Sequence, residues 1–476
     1  MLMLIGGKDT GGLDGRWIDV KNPATTLLID RVPSGTPDDV AHAVDEADAA
    51  SDGWKKKTVR ERGVILFHAA GLVREQHRDI ARLLTMEQGK PLREAIDEVR
   101  GFANILEFYA GISAHSSGEA IRLGPAGDCI VVHEPLGICG AIIPWNMPVI
   151  IMGWKIGPAL LAGNTMVLKP ASTTPLSSLK LAAILDKAGL PPGVLNVVTG
   201  NGESVGAAIV RHPLIRKVSF TGDCTTGQKI RDMASGSAKD LILELGGSDP
   251  MIVMDDAAID KAVEGALRGR FYNAGQTCTA VKRLYVHEKI ADTFSKKLQA
   301  RVEALKAGNG LETGVDLGPL NSAGQRERIS GIVTEMEQKG EGTILTGGFS
   351  LTGPSYDAGH FYSPTLVSDI SPGTRLLTDE VFGPVLPVMS IPDLDTAIVE
   401  ANRSRYGLGA SVWTSSLATT KRVFDEVHAG IIWVNRHLTV PPEIPFGGMN
   451  ESGIGRENGS HALESYSRTK TLFLGW

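Results

Sequence analysis

Cys278 stands in the stretch FYNAGQTCTA, residues 271–280, among small and polar neighbours. Such a cysteine has two readings. It is a small buried hydrophobe, or its sulfur lies within a substrate's reach with backbone N–H groups beside it, where a thiol becomes a nucleophilic thiolate. Asn273, Gly275, Gln276, Thr277 and Thr279 make a poor apolar cage, and Gly275 permits a sharp turn. Glu244, in LELGGS (243–248), closes an apolar run. It reads as a salt-bridged structural carboxylate, or as a desolvated general base with a raised pKa. Asn146, in IIPWNMP (142–148), sits between Trp145 and Met147 and is hemmed by two prolines. It is either a turn asparagine or a fixed amide donor for a developing oxyanion.

The elements that must position these residues alternate. Strand-like runs ICGAII (138–143), TMVLKP (165–170), GVLNVVTG (193–200), KVSFTG (217–222) and DLILELGG (240–247) are separated by helical spacing, as in PLSSLKLAAILDKAG (175–189). Strands and helices alternating over short connections predict an α/β fold, a parallel sheet with helices on both faces and ligands at the carboxyl ends of its strands. FTGDCTTG (220–227) follows a strand and opens a helix, with Gly222 and Gly227 in the turn. It is not GxGxxG, yet it offers helix N-terminal amides to a pyrophosphate. Lys169 ends the run VLKPAS at the same sheet edge, where it is a solvated strand-end lysine or a cation for a ligand.

Upstream, PDDVAHAVDEADAASDGWKK and TVRERGVILFHAAGLVREQHRDIARLLTMEQGK each read as amphipathic helix, and SGEAIRLGPAGDCIVVHEPLG as strands. Downstream, DPMIVMDD and RLYVHEK read as strands, IADTFSKKLQARVEALKAG as a helix, LTGGFSLTGPSYDAGH (345–360) as a surface loop and TKTLFLGW as a closing strand.

Composition narrows the class. The 476 residues carry a net charge of −6, which argues against a nucleic-acid partner. The four cysteines, Cys129, Cys139, Cys224 and Cys278, form no CxxC pair, so neither a metal ribbon nor a disulfide framework is expected. No apolar run is long enough to span a bilayer, and the N-terminus lacks a signal peptide's basic start, so a cytoplasmic enzyme is expected.

The motifs NPAT (22–25), PWNMP, LKPAS, FTG…G, LELGG, NAGQTC, DEVFGPV (379–385) and PFGGMNESGIGRE (445–457) run in this order over nearly the whole chain. In that arrangement the sequence resembles the aldehyde dehydrogenase superfamily. The resemblance implies a Rossmann-like nucleotide-binding domain (1–112 and 136–246), a second α/β catalytic domain (247–455) and a small β oligomerisation element (113–135 and 456–476). It implies Cys278 as nucleophile, Asn146 and the cysteine's own N–H as oxyanion donors, and Glu244 as the base that hydrolyses a thioester. Relatives that acylate coenzyme A lack this glutamate, and a non-catalytic member would have no reason to keep all three residues.

For the cofactor, NADP or NAD, the resemblance points to Trp145, Lys169, Ser172, Gly222, Asp223, Leu245, Gln325, Glu380 and Phe382. NAD-preferring relatives often carry a glutamate where Ser172 stands; a hydroxyl would not repel a 2′-phosphate, so NADP is expected to be accepted. Asp223 replaces the usual serine, and a carboxylate beside a pyrophosphate is unfavourable unless it turns away or is neutralised. Asn450 replaces the usual lysine. The substrate tunnel is expected at Met147, Ile151, Trp154, Tyr272, Thr277, Thr279, Val440 and Phe446. Succinate-semialdehyde oxidisers carry arginines where Trp154 and Tyr272 stand, so an uncharged aldehyde is expected, with semialdehyde oxidation as the alternative. Arg436 and His437, in NRHLTVPPEIP near the expected mouth, read as solvated loop charges, or as groups that restore a polar or anionic preference. A homodimer or homotetramer is implied, with no metal, nucleic acid or membrane partner.

Overall fold

The computed structural model describes residues 1–115 and 118–475; residues 116, 117 and 476 of the expected oligomerisation element lie outside it. Five parallel strands, Asp240–Glu244, Ile215–Thr221, Ile138–Ile142, Thr165–Lys169 and Leu195–Val197, adjoin in that order. All but the first two residues of Asp240–Glu244 and one of Ile215–Thr221 are buried, which is why these strands read as nearly continuous apolar runs. Chain order reverses between Ile138–Ile142 and Ile215–Thr221. The crevice at such a reversal is where open α/β sheets hold their ligands. Asn146 follows the first of these two strands, and Gly222 and Asp223 follow the second.

Three short antiparallel strands complete this sheet and are missing from the sequence reading. Met3–Ile5 and Lys8–Thr10 add at one edge, and Gly453–Ile454 pairs with Asp240–Glu244 at the other. The stretch 453–454, expected with the catalytic part, therefore lies beside Glu244. One helical expectation changes, and one helix is unexpected. The segment expected as one helix from 58 to 90 breaks at Gln76 into Val59–Glu75 and His77–Gln88. A further helix, Leu92–Ile112, buries Ala95, Val99, Phe102, Ala103, Leu106 and Tyr109, spaced three and four apart.

The second sheet orders Thr343–Thr346, Thr365–Ser368, Val385–Ile391, Val281–His287, Asp249–Val253, Gly409–Trp413 and Ile431–Val434, parallel except at its first pair. Cys278 lies on the loop that enters its strand Val281–His287. A third sheet joins Glu119–Arg122, Asp128–Pro135 and Ser467–Leu474, with Ile121, Ile130, Val132, Leu472 and Phe473 exposed. Among the described residues no helix is long and apolar enough to cross a membrane.

Candidate active site

The cysteine loop is held in an uncommon backbone form. Asn273, Ala274 and Gly275 are consecutively left-handed, at φ of 51°, 52° and 73°. A Cβ on Gly275 would run into the Gly383 carbonyl, so no other residue fits there. The buried Glu94 carboxylate accepts from the Asn273 N–H at 2.8 Å, and the buried Arg270 guanidinium donates to the Val381 and Gly383 carbonyls. The turn thus points Cys278, half-buried, toward a cavity.

The thiol is not an ordinary solvated one. Burial pushes Cys278 up to about 12, against the pull of the Lys282 ammonium and with help from Asp249, Glu380 and Glu244. The protonated form is therefore the resting form at neutral pH, and nearby N–H groups do not by themselves make it a thiolate. Without cofactor, alkylation of Cys278 by iodoacetamide should climb about tenfold per pH unit from 7 to 10 with no plateau. The check is peptide mass spectrometry of Cys278; levelling off near pH 8.5 would show an ordinary thiol.

Asn146 is buried, and its Nδ2 donates to the Gln276 carbonyl at 3.0 Å. That bond ties the Asn146 amide to the loop that carries Cys278. The Asn146 carbonyl accepts from Lys90 Nζ at 2.8 Å and Asn273 Nδ2 at 3.0 Å.

Glu244 ends its strand fully enclosed, and neither carboxylate oxygen has a partner among the described residues. Its pKa is driven well above the carboxylate range, first by burial and then by the charge of Glu457, while Lys155 and Arg456 oppose the shift. Lys155 Nζ bonds Glu457 Oε1 at 2.5 Å and both Ser219 Oγ and Thr221 Oγ1 at 2.8 Å. A Cβ on Gly447 would sit 2.7 Å from Glu244 Oε1, so the glycine leaves room for the carboxylate. Such an acid stays neutral in a dry site and becomes a base once water solvates it.

The expected cofactor residues lie along the carboxyl edge of the first sheet and the facing loop. Lys169 is buried, donates to the Pro170 carbonyl at 3.0 Å, and is pushed down to about 8 by burial. Ser172 Oγ donates to the Gly200 carbonyl at 2.9 Å. Asp223 turns back on its own helix, Cys224–Ala234, accepting from Thr226 N–H at 2.9 Å and Thr226 Oγ1 at 2.6 Å. It therefore caps the helix. Leu245 packs over Gly227. Trp145 and Phe382 meet edge to face, with ring centres 5.5 Å apart. Glu380 Oε1 accepts from the Gly247 N–H at 3.2 Å and lies 3.8 Å from Lys282 Nζ. Gln325 has a buried Oε1 without a partner among the described residues; Ile329, one turn on, packs against Gly383. A strand-edge ammonium, an orphaned amide oxygen and an aromatic pair near the Cys278 loop suit a dinucleotide.

All eight expected tunnel residues line one cavity with Cys278, about 150 Å³ in volume. Trp154 and Phe446 face each other there at 4.9 Å. Sequence reasoning missed Ile150, Leu438, Asp97, Glu98 and Arg268, which also line it. Asp97 and Arg268 are exposed and shared with an adjoining cleft of about 390 Å³. His437 is a correction. It is buried, its Nε2 lies 2.7 Å from the Thr279 carbonyl and its Nδ1 2.9 Å from Ser411 Oγ, and burial lowers it to about 4. It is a neutral strap from its own loop to the Cys278 loop and the strand Gly409–Trp413, and only Arg436 is the exposed loop charge expected. Asn450 is exposed and left-handed at φ 54°, a conformation asparagine tolerates.

Residues 11–472 match the model of the aldehyde dehydrogenase family. An NADP-dependent enzyme of E. coli is 38% identical over 100% of this chain and 98% of its own, with a TM-score of 0.97. A putative aldehyde dehydrogenase from Burkholderia cenocepacia is 35% identical over 100% and 97%, at 0.98. PnpE from Pseudomonas sp. WBC-3, solved in complex with nicotinamide adenine dinucleotide, is 34% identical over 100% and 97%, also at 0.98. The chain belongs to the aldehyde dehydrogenase family and is an NAD(P)-dependent aldehyde dehydrogenase.

Proposed function

We propose that the protein oxidises a small uncharged aldehyde to its acid by way of a Cys278 thioester, and that water, not coenzyme A, takes the acyl group. The observation that carries this reading is the enclosed, unpartnered Glu244 carboxylate, close enough to Cys278 to perturb its thiol. The Cys278 thiol passes its proton to water, its sulfur bonds the carbonyl carbon, and the carbonyl π pair moves to the oxygen, which becomes an oxyanion. The Asn146 amide and the Cys278 N–H donate to that oxygen. The bound nicotinamide supplies a hydride acceptor. Once the carbon has lost its hydride, the thioester remains on Cys278. Glu244 takes a proton from water as the water's oxygen attacks, and the carbon–sulfur bond then breaks to free the acid.

Cavity size and charge support the substrate class. A space of about 150 Å³ takes a group near the size of benzene. Its walls are largely apolar, and its two exposed charges, Asp97 and Arg268, are of opposite sign. Butanal and benzaldehyde should therefore give higher kcat/KM than succinate semialdehyde, and the reverse order would overturn the uncharged class. We further infer dimers or tetramers, supported by the exposed apolar side chains of the three-stranded sheet.

Ser172 leaves no carboxylate at its position beside the Lys169 edge, which supports use of NADP. In the same assay NADP should match or exceed NAD, and Ser172→Glu should cut kcat/KM for NADP by about a hundredfold while sparing NAD, since facing like charges cost several kcal/mol. A strong NAD preference in the native protein would remove this reading.

A further inference from the structure

The helix Leu92–Ile112 contributes Asp97 and Glu98 to the wall of the Cys278 cavity. Glu98 and Lys90 form an ion pair of 2.5 Å whose side chains are wholly buried. Burying two charges costs several kcal/mol each before their attraction is counted, and apolar replacements are often as stable. Stability alone is thus a weak reason for the pair, and its other bonds are directed. Glu98 Oε1 accepts from the Val149 N–H at 2.9 Å and the Ile150 N–H at 3.2 Å, at the start of the helix Pro148–Ala162. Lys90 Nζ donates to the Asn146 carbonyl at 2.8 Å and lies 3.1 Å from Met147 Sδ. Asn146 and Met147 are therefore clamped from both sides. The amide starts of the following helix are held by one carboxylate oxygen, and the Asn146 carbonyl by the lysine that the other oxygen holds.

We propose that Glu98, acting through Lys90, is the positioning residue of the oxyanion donor Asn146. Lys90 is not among the residues lining the cavity, and Glu98, which is, has both carboxylate oxygens engaged by Val149, Ile150 and Lys90. Their task is to hold the Asn146 backbone so that its amide meets an oxyanion on the Cys278-bound carbon. This rests on the role given to Asn146 above. Donor geometry of this kind is sensitive, since a displacement of about 1 Å can cost about a hundredfold in rate.

Two reactions of the same sulfur separate positioning from general damage. Acylation of Cys278 by p-nitrophenyl acetate passes through a tetrahedral oxyanion. The sulfur bonds the acetyl carbon, the carbonyl oxygen takes up negative charge, and p-nitrophenolate leaves. Alkylation by iodoacetamide has no oxyanion; the sulfur displaces iodide from carbon directly. Glu98→Gln keeps an acceptor for the Val149 and Ile150 amides but loses the charge that holds Lys90. In the double variant Lys90→Met/Glu98→Gln no charge is left unpaired. Both variants should slow acylation by about tenfold to a hundredfold and leave alkylation within about twofold. In an Asn146→Ala background they should slow acylation no further.

Equal losses in both reactions, loss in neither, or full additivity with Asn146→Ala would overturn the proposal. If Asn146→Ala itself leaves acylation unchanged, the oxyanion role of Asn146 fails and the proposal with it. If acylation behaves as stated but no aldehyde is oxidised, only the substrate reading fails.

Discussion

A Glu244→Gln variant is expected to release about one equivalent of NAD(P)H per site and then turn over about a thousandfold more slowly than the native enzyme. Glutamine has the carboxylate's size, so packing beside Gly447 and Arg456 persists, and Cys278 still attacks and still loses the hydride. What disappears is the group that takes the proton from water, and general base catalysis contributes about 10²–10⁴-fold. Rapid-mixing absorbance at 340 nm separates the steps. Undiminished steady-state turnover would reduce Glu244 to a structural acid, while a missing burst would place its role before the thioester.

Cys278→Ala should abolish oxidation, with a fall of about 10⁴-fold or more, because among the described residues no other cysteine lines the cavity and the covalent path is closed. Cys139 is fully buried in the first sheet and Cys224 opens the helix beyond Asp223. Cofactor affinity, measured by fluorescence titration, should stay within about threefold, since none of the expected cofactor residues bonds the Cys278 side chain. Appreciable NAD(P)H formation by the alanine variant would exclude a thioester route.

The central sheet is legible in the sequence because strands buried on both faces leave unbroken apolar runs. The proposed catalytic residues stand out in the sequence because each is an anomaly in its surroundings: a cysteine among amides, a glutamate closing an apolar strand, an asparagine between prolines. Strands of two or three residues, such as Gly453–Ile454, carry no periodicity to read. The helix Leu92–Ile112 has the right spacing, but Glu94 and Glu98 interrupt its inward face. They are buried for contacts made by residues some 50 and 180 positions away in the chain, which no local pattern reveals. Burial of His437 is hidden for the same reason, since its partners Thr279 and Ser411 come from other elements.

The surroundings of Glu244 are assembled from Gly447, Gly453, Arg456 and Glu457. During synthesis, then, a nascent chain carries both Asn146 and Cys278 long before the proposed base Glu244 is enclosed. Until residues 447–457 have been made and have packed, Glu244 remains wet and ordinary, and competence waits for that segment.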